Sequence, residues 1–150
     1  LDEGQYAAII LAAAGLKRLG LGDRIRGIIT SEDSLPAVGQ GALGIECRTD
    51  RADIIALLQP LHDADTAACV MAERSMSRAL GGSCQVPLGG FAEVTNGKLR
   101  MRGFVASPDG QRMMRSEAIG EIAHPEALGN KIADELRAQG ADVILAELAL

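Results

Sequence analysis

Three cysteines, Cys47, Cys69 and Cys84, are the most nucleophilic side chains of this 150-residue sequence. Their number is odd and they show no CxxC spacing, so neither a disulfide framework nor a zinc site is indicated. The patterns around Cys47 and Cys69 predict core packing, whereas Cys84 lies in the loop segment 81–87, Gly-Gly-Ser-Cys-Gln-Val-Pro. A loop thiol is accessible, and neighbouring N–H groups or an arginine favour its nucleophilic thiolate form. Taken alone, these residues support a covalent role for Cys84 and a half-buried structural role equally.

Basic residues crowd into one short stretch of an otherwise acidic chain. Lys17, Arg18, Arg24 and Arg26 lie within ten residues and only Asp23 opposes them, although the net charge is −5. Arg18 follows a predicted strand, where ligands of α/β sheets bind, and its planar guanidinium matches a carboxylate. By itself the pattern still favours a solvated charge pair over an anion site.

The segment 39–44, Gly-Gln-Gly-Ala-Leu-Gly, matches the GxGxxG motif of dinucleotide-binding proteins. That motif must follow a strand and open a helix, but here Pro36 precedes it and a strand-like segment follows. The context therefore argues against a dinucleotide site. The glycines allow a tight turn, and Gln40 on that turn either hydrogen-bonds a ligand or caps the loop.

Composition excludes several classes of protein. The negative net charge and 2% aromatic content argue against a nucleic-acid partner. No apolar run approaches the roughly 20 residues that cross a bilayer, and no signal peptide is evident, so we expect a cytoplasmic protein. His62 and His124 have no partners at metal-ligand spacing, and no carboxylate pair suggests acid–base catalysis. The absence of an initial Met suggests a piece of a longer protein.

The first sixty residues show patterns typical of an α/β domain. We predict a buried strand over 6–14, a helical turn over 15–20, a strand over 24–29 and a loop over 31–36. A glycine-rich turn then leads into a short strand ending at 47. Asp50 is placed to cap a helix over 52–58, which Pro60 ends.

The remaining residues predict an α+β domain. A helix over 66–80, with Asp65 as its cap and Gly81-Gly82 as its end, precedes three antiparallel strands near 86–94, 98–107 and 111–119. Their turns lie at Asn96-Gly97 and at 108–110. A helix over 125–138, ended by Gly140, and a last helix over 141–148 follow. Helices covering one face of a three-stranded sheet form an α+β layer arrangement.

Three blocks of this sequence resemble, in order and spacing, the porphobilinogen deaminases (hydroxymethylbilane synthases). They are residues 12–20, 35–47 and 82–87, and the Ala-Glu-Arg of 72–74 also fits. The resemblance covers essentially the whole chain and corresponds to the C-terminal half of the family's proteins.

The resemblance implies a specific reaction and cofactor. The family is a transferase of porphyrin and heme biosynthesis that joins four porphobilinogen units into hydroxymethylbilane and releases ammonia at each addition. A dipyrromethane cofactor, linked as a thioether to the cysteine that corresponds to Cys84, primes the growing chain. Arg18 matches a carboxylate-binding arginine of the family, while Ala12, Gly15, Gln40 and Gly41 match residues that line the cofactor cleft.

The family fold divides the chain into three parts. Residues 1–37 would end a second, periplasmic-binding-protein-like α/β domain, residues 38–60 would cross back to the first such domain, and residues 64–150 would form the C-terminal α+β domain carrying Cys84. The catalytic aspartate belongs to the N-terminal half. No catalytic residue is therefore expected among these 150 residues, and we expect them to be inactive without that half, which is their implied partner.

Two other functions remain open at this stage. One is a stand-alone anion- or nucleotide-binding α/β module that uses residues 39–44 and Arg18, and the other is a purely structural domain. The resemblance favours the deaminase, and it implies a monomer.

Overall fold

A computed structural model describes residues 1–82 and 86–148 of the chain. They fall into two compact units, Leu1–Ser34 and Leu35–Leu150. The helices are α1 (Ala13–Arg18), α2 (Ala52–Leu58), α3 (Ala64–Ala79), α4 (Pro125–Ala138) and α5 (Ala141–Leu148), and the strands are β1 (Leu88–Thr95), β2 (Lys98–Ala106) and β3 (Met113–Gly120). Short 3₁₀ turns lie at Gly22–Arg24 and Gln59–Leu61.

The three strands form an antiparallel sheet in the order β1-β2-β3. Asn96 and Gly97 join β1 to β2 with φ of 52° and 72°, the positive values that a two-residue hairpin turn requires. Gly110, with φ of 71°, lies in the turn between β2 and β3, where its N–H donates to the Ser107 carbonyl at 2.8 Å. The predicted meander is confirmed, with every strand boundary within two residues of its expected place.

Helices α3 and α4 cover one face of this sheet and enclose an aliphatic core, as the low aromatic content requires. Its fully buried large side chains are Met76, Leu99, Met101, Val105, Ile132, Leu136 and Ile144. Two strand glycines, Gly90 and Gly103, lie under the Met76 side chain. A Cβ added to Gly90 would come within 2.7 Å of that side chain, and one added to Gly103 within 2.5 Å. Gly129 brings α4 against the backbone of α3. The predicted α+β arrangement, including the last two helices, is thus confirmed.

Both predicted helix caps were wrong. Helix α3 begins at Ala64, and the Asp63 carboxylate, not that of Asp65, accepts the Thr66 N–H at 2.7 Å. An N-cap side chain must precede the first turn to reach the N–H three residues on, and Asp65 lies inside that turn. Helix α2 covers the predicted residues, but Asp50 pairs with the Arg48 side chain and no side chain caps the helix.

The strands predicted for 6–14, 24–29 and the segment before Cys47 were also wrong. Residues 1–82 form no β-strand, and α1 begins within the first of these segments. A strand exists only where a neighbouring chain accepts and donates its hydrogen bonds, and among the described residues these segments have no such neighbour. Their apolar side chains are accordingly exposed, Ile10 to 82%. The three-part domain division stays a prediction.

The glycine motif forms a turn over residues 38–41, in which Gly39 and Gly41 have φ of 72° and 88°. No helix begins until Ala52, so the context of a dinucleotide site is absent, as expected. Among the described residues, none of the helices has the length and apolar character needed to cross a membrane.

Candidate functional site

A groove of about 1140 Å³ lies within the unit Leu35–Leu150. One side is formed by the glycine-rich segment 37–45, another by α2 and the turn after it, and the third by α3. Gly82, Val86 and Leu88 complete the lining. The groove is large enough for an organic molecule of several rings, since small-molecule sites commonly span roughly 300–1,000 Å³.

Cys84 itself lies outside the described residues, but the residues two positions before and after it line this groove. Helix α3 ends in a turn in which the Gly82 N–H donates to the Ser77 carbonyl at 2.7 Å and the Gly81 N–H donates to the Arg78 carbonyl at 3.1 Å. Gly81, with φ of 67°, is the left-handed residue that this turn requires. A Cβ on Gly82 would lie 2.2 Å from Ser77 Oγ, so the chain leaves the helix in close contact with it.

Two arginines and one carboxylate, that of Asp63, lie on the α3 side of the groove. Arg74 and Arg78 are one helical turn apart, both are exposed, and both line the groove. Arg78 lies 3.7 Å from Glu126, whereas Arg74 makes no hydrogen bond or ion pair within the described part of the chain. Guanidinium groups placed in this way can bind the carboxylates of a ligand. Sequence analysis named Arg74 only within the 72–74 block that fits the family and assigned neither arginine to a site, although their i, i+4 spacing on one helix indicates a shared face.

The buried carboxylate of Glu73 joins three elements beside the groove. The side chain is only 5% exposed, and its two oxygens accept the Gly39 N–H at 2.7 Å and the Ala92 N–H at 2.8 Å. Burial raises the pKa of the Glu73 carboxyl above its ordinary value of 4.5, while the two N–H donors oppose that shift. Helix α3, strand β1 and the glycine-rich turn therefore meet at one acidic side chain.

The other two cysteines differ from each other. Cys69 is half-buried and packs against the core, as predicted, and burial followed by the charge of Glu73 raises the pKa of its thiol. A raised pKa disfavours the reactive thiolate. Cys47 was predicted to pack in the core but lines the groove instead, because the segment before it forms no strand.

The remaining residues expected to contact a cofactor are divided between the two units. Gln40 and Gly41 lie exposed in the glycine-rich turn, between the groove-lining Gly39 and Ala42. Ala12 precedes α1, Gly15 lies within it and Arg18 ends it, all in the unit Leu1–Ser34 and all exposed. Among residues 1–82 and 86–148, no group of three or more His, Cys, Asp or Glu side chains could hold a metal ion.

Two family models match this chain. The porphobilinogen deaminase, dipyromethane cofactor binding domain matches residues 1–56, and the porphobilinogen deaminase, C-terminal domain matches residues 67–138.

Curated relatives extend this match over nearly the whole chain. The porphobilinogen deaminase of Nitrosomonas europaea is 60% identical over 149 residues, which cover 99% of this chain and 48% of that protein. The porphobilinogen deaminase of Methylobacillus flagellatus is 62% identical over 148 residues, which cover 99% of this chain and 48% of that protein. That of Ralstonia nicotianae is 61% identical over 152 residues, which cover 99% of this chain and 46% of that protein. The chain thus spans about half the length of the curated relatives it matches. Because two domain models of one family together account for most of its residues, the chain belongs to the porphobilinogen deaminase family.

Proposed function

We propose that this chain is part of a transferase that joins four porphobilinogen units into hydroxymethylbilane, with release of ammonia, on a dipyrromethane primer bound to Cys84 as a thioether. The observation that carries this proposal is the groove whose lining includes Gly82 and Val86, on either side of Cys84, together with Arg74 and Arg78. A short pyrrole chain with acetate and propionate groups needs such a combination of apolar walls and cations.

The residues present fit that cofactor. Ile45, Ile55 and Val70 offer apolar surface in the groove, and Arg74 and Arg78 offer positive charge for the carboxylates. Arg18, and with it Ala12, Gly15, Gln40 and Gly41, stay proposed contacts on the strength of their match to the family. When bound, the dipyrromethane supplies a free pyrrole carbon as the nucleophile for chain growth.

Cys84 would act once, as an anchor. Its thiolate sulfur would bond to the methylene carbon of an aminomethylpyrrole unit as the carbon–nitrogen bond of that unit breaks, and ammonia would leave with the nitrogen and the electron pair of that bond. Loop placement after a helix end makes a thiol accessible for such an attack. We propose no acid–base role for any residue of this chain. We therefore also propose that the 150 residues alone do not turn over porphobilinogen.

The finer fold assignment is also part of the proposal. Residues 1–37 would end an α/β domain of the periplasmic-binding-protein type, and residues 38–60 would cross to another. The exposed apolar side chains of both segments, such as Ile10 and Leu43, are consistent with surfaces that other strands cover.

Intact-mass spectrometry of a polypeptide of the relatives' length that contains this sequence tests the proposal. We expect an added mass of two pyrrole units in the wild type and in Cys47→Ser, which alters the other groove thiol, and none in Cys84→Ser. Retention of the adduct in Cys84→Ser, or full activity without any adduct, would contradict the assignment. Porphobilinogen consumption by the 150-residue chain alone would refute its predicted inactivity.

A further inference from the structure

Glu73 has the contacts of a residue that positions the site without belonging to it. Its side chain is buried away from the groove, while the next residue, Arg74, lines the groove. One carboxylate oxygen accepts the Gly39 N–H and the other accepts the Ala92 N–H of strand β1. We propose that Glu73 is a positioning residue that fixes the Gln40-Gly41 turn relative to helix α3 and its end at Gly81-Gly82, an inference that rests on the proposed function.

A carboxylate is the side chain that this position requires. The two N–H groups approach from different segments, and both are donors, so the residue between them must offer two acceptors and no donor. Glutamine has the same shape but presents an NH₂ group to one of the two N–H groups. Because Ala92 belongs to the paired strand β1, we expect the glutamine oxygen to stay with its N–H, and the Gly39 N–H to be left without an acceptor.

The Gly39 turn has one further backbone link to the packed body. The Gly90 N–H donates to the Pro36 carbonyl at 3.1 Å, three residues before Gly39. Val38 lies between Pro36 and Gly39, and its side chain packs against Gly90: a Cβ added to Gly90 would be 3.6 Å from a methyl group of Val38. Without the hydrogen bond to Glu73, the turn would stay attached at Pro36 and through the packing of Val38, and we expect Gln40 and Gly41, which lie beyond both contacts, to move most.

Helix α3 connects this hydrogen bond to the cysteine. From Glu73 the helix continues for about 9 Å to Ala79, at 1.5 Å per residue, and ends in the turn at Gly81-Gly82. Both the Gln40 turn and Gly82, two residues before Cys84, are thereby attached to one helix. Displacement of reacting groups by about 1 Å can cost on the order of 100-fold in rate, so a side chain that holds this spacing affects turnover without touching substrate.

The test compares Glu73→Gln with Ser75→Ala in a polypeptide of the relatives' length. Ser75 is an equally buried polar residue two positions along α3, but its hydroxyl donates to Asn130 Oδ1 at 3.0 Å and lies 3.2 Å from the Glu126 carbonyl oxygen, and so joins α3 to α4 instead of to the turn. We expect Glu73→Gln to lower kcat by about tenfold or more with a smaller change in KM, and Ser75→Ala to stay within about twofold of wild type. Amide hydrogen exchange over residues 37–41 should accelerate in Glu73→Gln alone.

The outcomes separate this inference from the proposed function. A wild type that shows no two-pyrrole adduct would overturn the proposed function. A wild type with the adduct and activity, beside a Glu73→Gln variant whose kcat and exchange over 37–41 match those of Ser75→Ala, would overturn the role of Glu73 alone.

A second variant removes the same hydrogen bond from the other side. Gly39→Pro lacks the N–H donor and cannot adopt the φ of 72° found there, yet it leaves α3 and the sheet unaltered. If Glu73→Gln fails to fold, Gly39→Pro is expected to give the same reduction of kcat. An unchanged kcat in Gly39→Pro would overturn the inference.

Discussion

Residues 1–61 and residues 64–148 are both rich in Ala, Ile and Leu, but they use these side chains in opposite ways. The later region encloses them between a sheet and two helices, with Met76, Ile132 and others fully buried. No residue of 1–61 is buried, and Leu43 is 97% exposed. The difference lies in hydrogen-bonding partners: the strands of the meander pair with their neighbours in sequence, whereas the segments 6–14 and 24–29 have no paired strand among the described residues.

The largest expected effect compares one truncation in each region. Met76→Ala should lower the free energy of unfolding by about 2–5 kcal/mol, because the side chain is fully buried over two strand glycines. Ile10→Ala should stay within about 0.5 kcal/mol, because Ile10 is already in water. Urea unfolding of the 150-residue chain measures both. Equal costs for the two substitutions would show that the contrast between the regions is wrong.

Glycine substitutions sharpen the same contrast with a smaller effect. Gly129→Ala should destabilise by about 1–3 kcal/mol, because its Cβ would lie 2.1 Å from the Ala72 carbonyl oxygen and force α4 away from α3. Gly15→Ala, in α1, meets no atom within 4 Å and should not lower stability, since alanine favours a helix more than glycine does. The midpoint of thermal unfolding should fall in Gly129→Ala and should not fall in Gly15→Ala. A lower midpoint for Gly15→Ala would contradict the exposed placement of α1.

The smallest expected effect on stability concerns Asp63, which lies between the two regions and caps helix α3. Asp63→Ala should lower the melting temperature more than Asp65→Ala, because only Asp63 accepts a backbone N–H of the first turn. That N–H, from Thr66, holds the pKa of the Asp63 carboxyl below its ordinary value of 3.8. The stabilisation is thus present above pH 3.8 and is lost as pH falls through the lowered pKa, where wild type and Asp63→Ala should converge. A difference that persists at lower pH would argue against this cap.

Much of the α+β fold could be predicted from sequence because its signals are local. Asn96-Gly97 specifies its turn through backbone conformation alone. In the same way Pro125 marks the start of α4, and Gly140 separates α4 from α5. The segment 6–14 has the composition of a buried strand, but a strand also needs a hydrogen-bonding neighbour, and composition does not supply one.

The site was predictable only in part, for a related reason. The glycine turn can be recognised from the residues of its own segment, whereas the loop predicted around Cys84 lies outside the described residues and stays a prediction. The link from Glu73 to Gly39 joins residues 34 positions apart, and no local pattern marks that pairing. Arg74 and Arg78 share a face through helical periodicity, which the sequence contains, but the groove they line depends on where the segment 37–45 packs.

The close turn at Gly81-Gly82 has a consequence for a product that lengthens. Gly82 lies against Ser77, and one residue separates it from Cys84 in the sequence, so two Cα–Cα steps of about 3.8 Å each limit how far that cysteine can lie from the helix end. An anchor on a short tether cannot retreat as units are added to its far end. For the proposed polymerisation, the point of attachment would therefore stay close to the end of helix α3, and each new unit would have to find its space in the groove or beyond it.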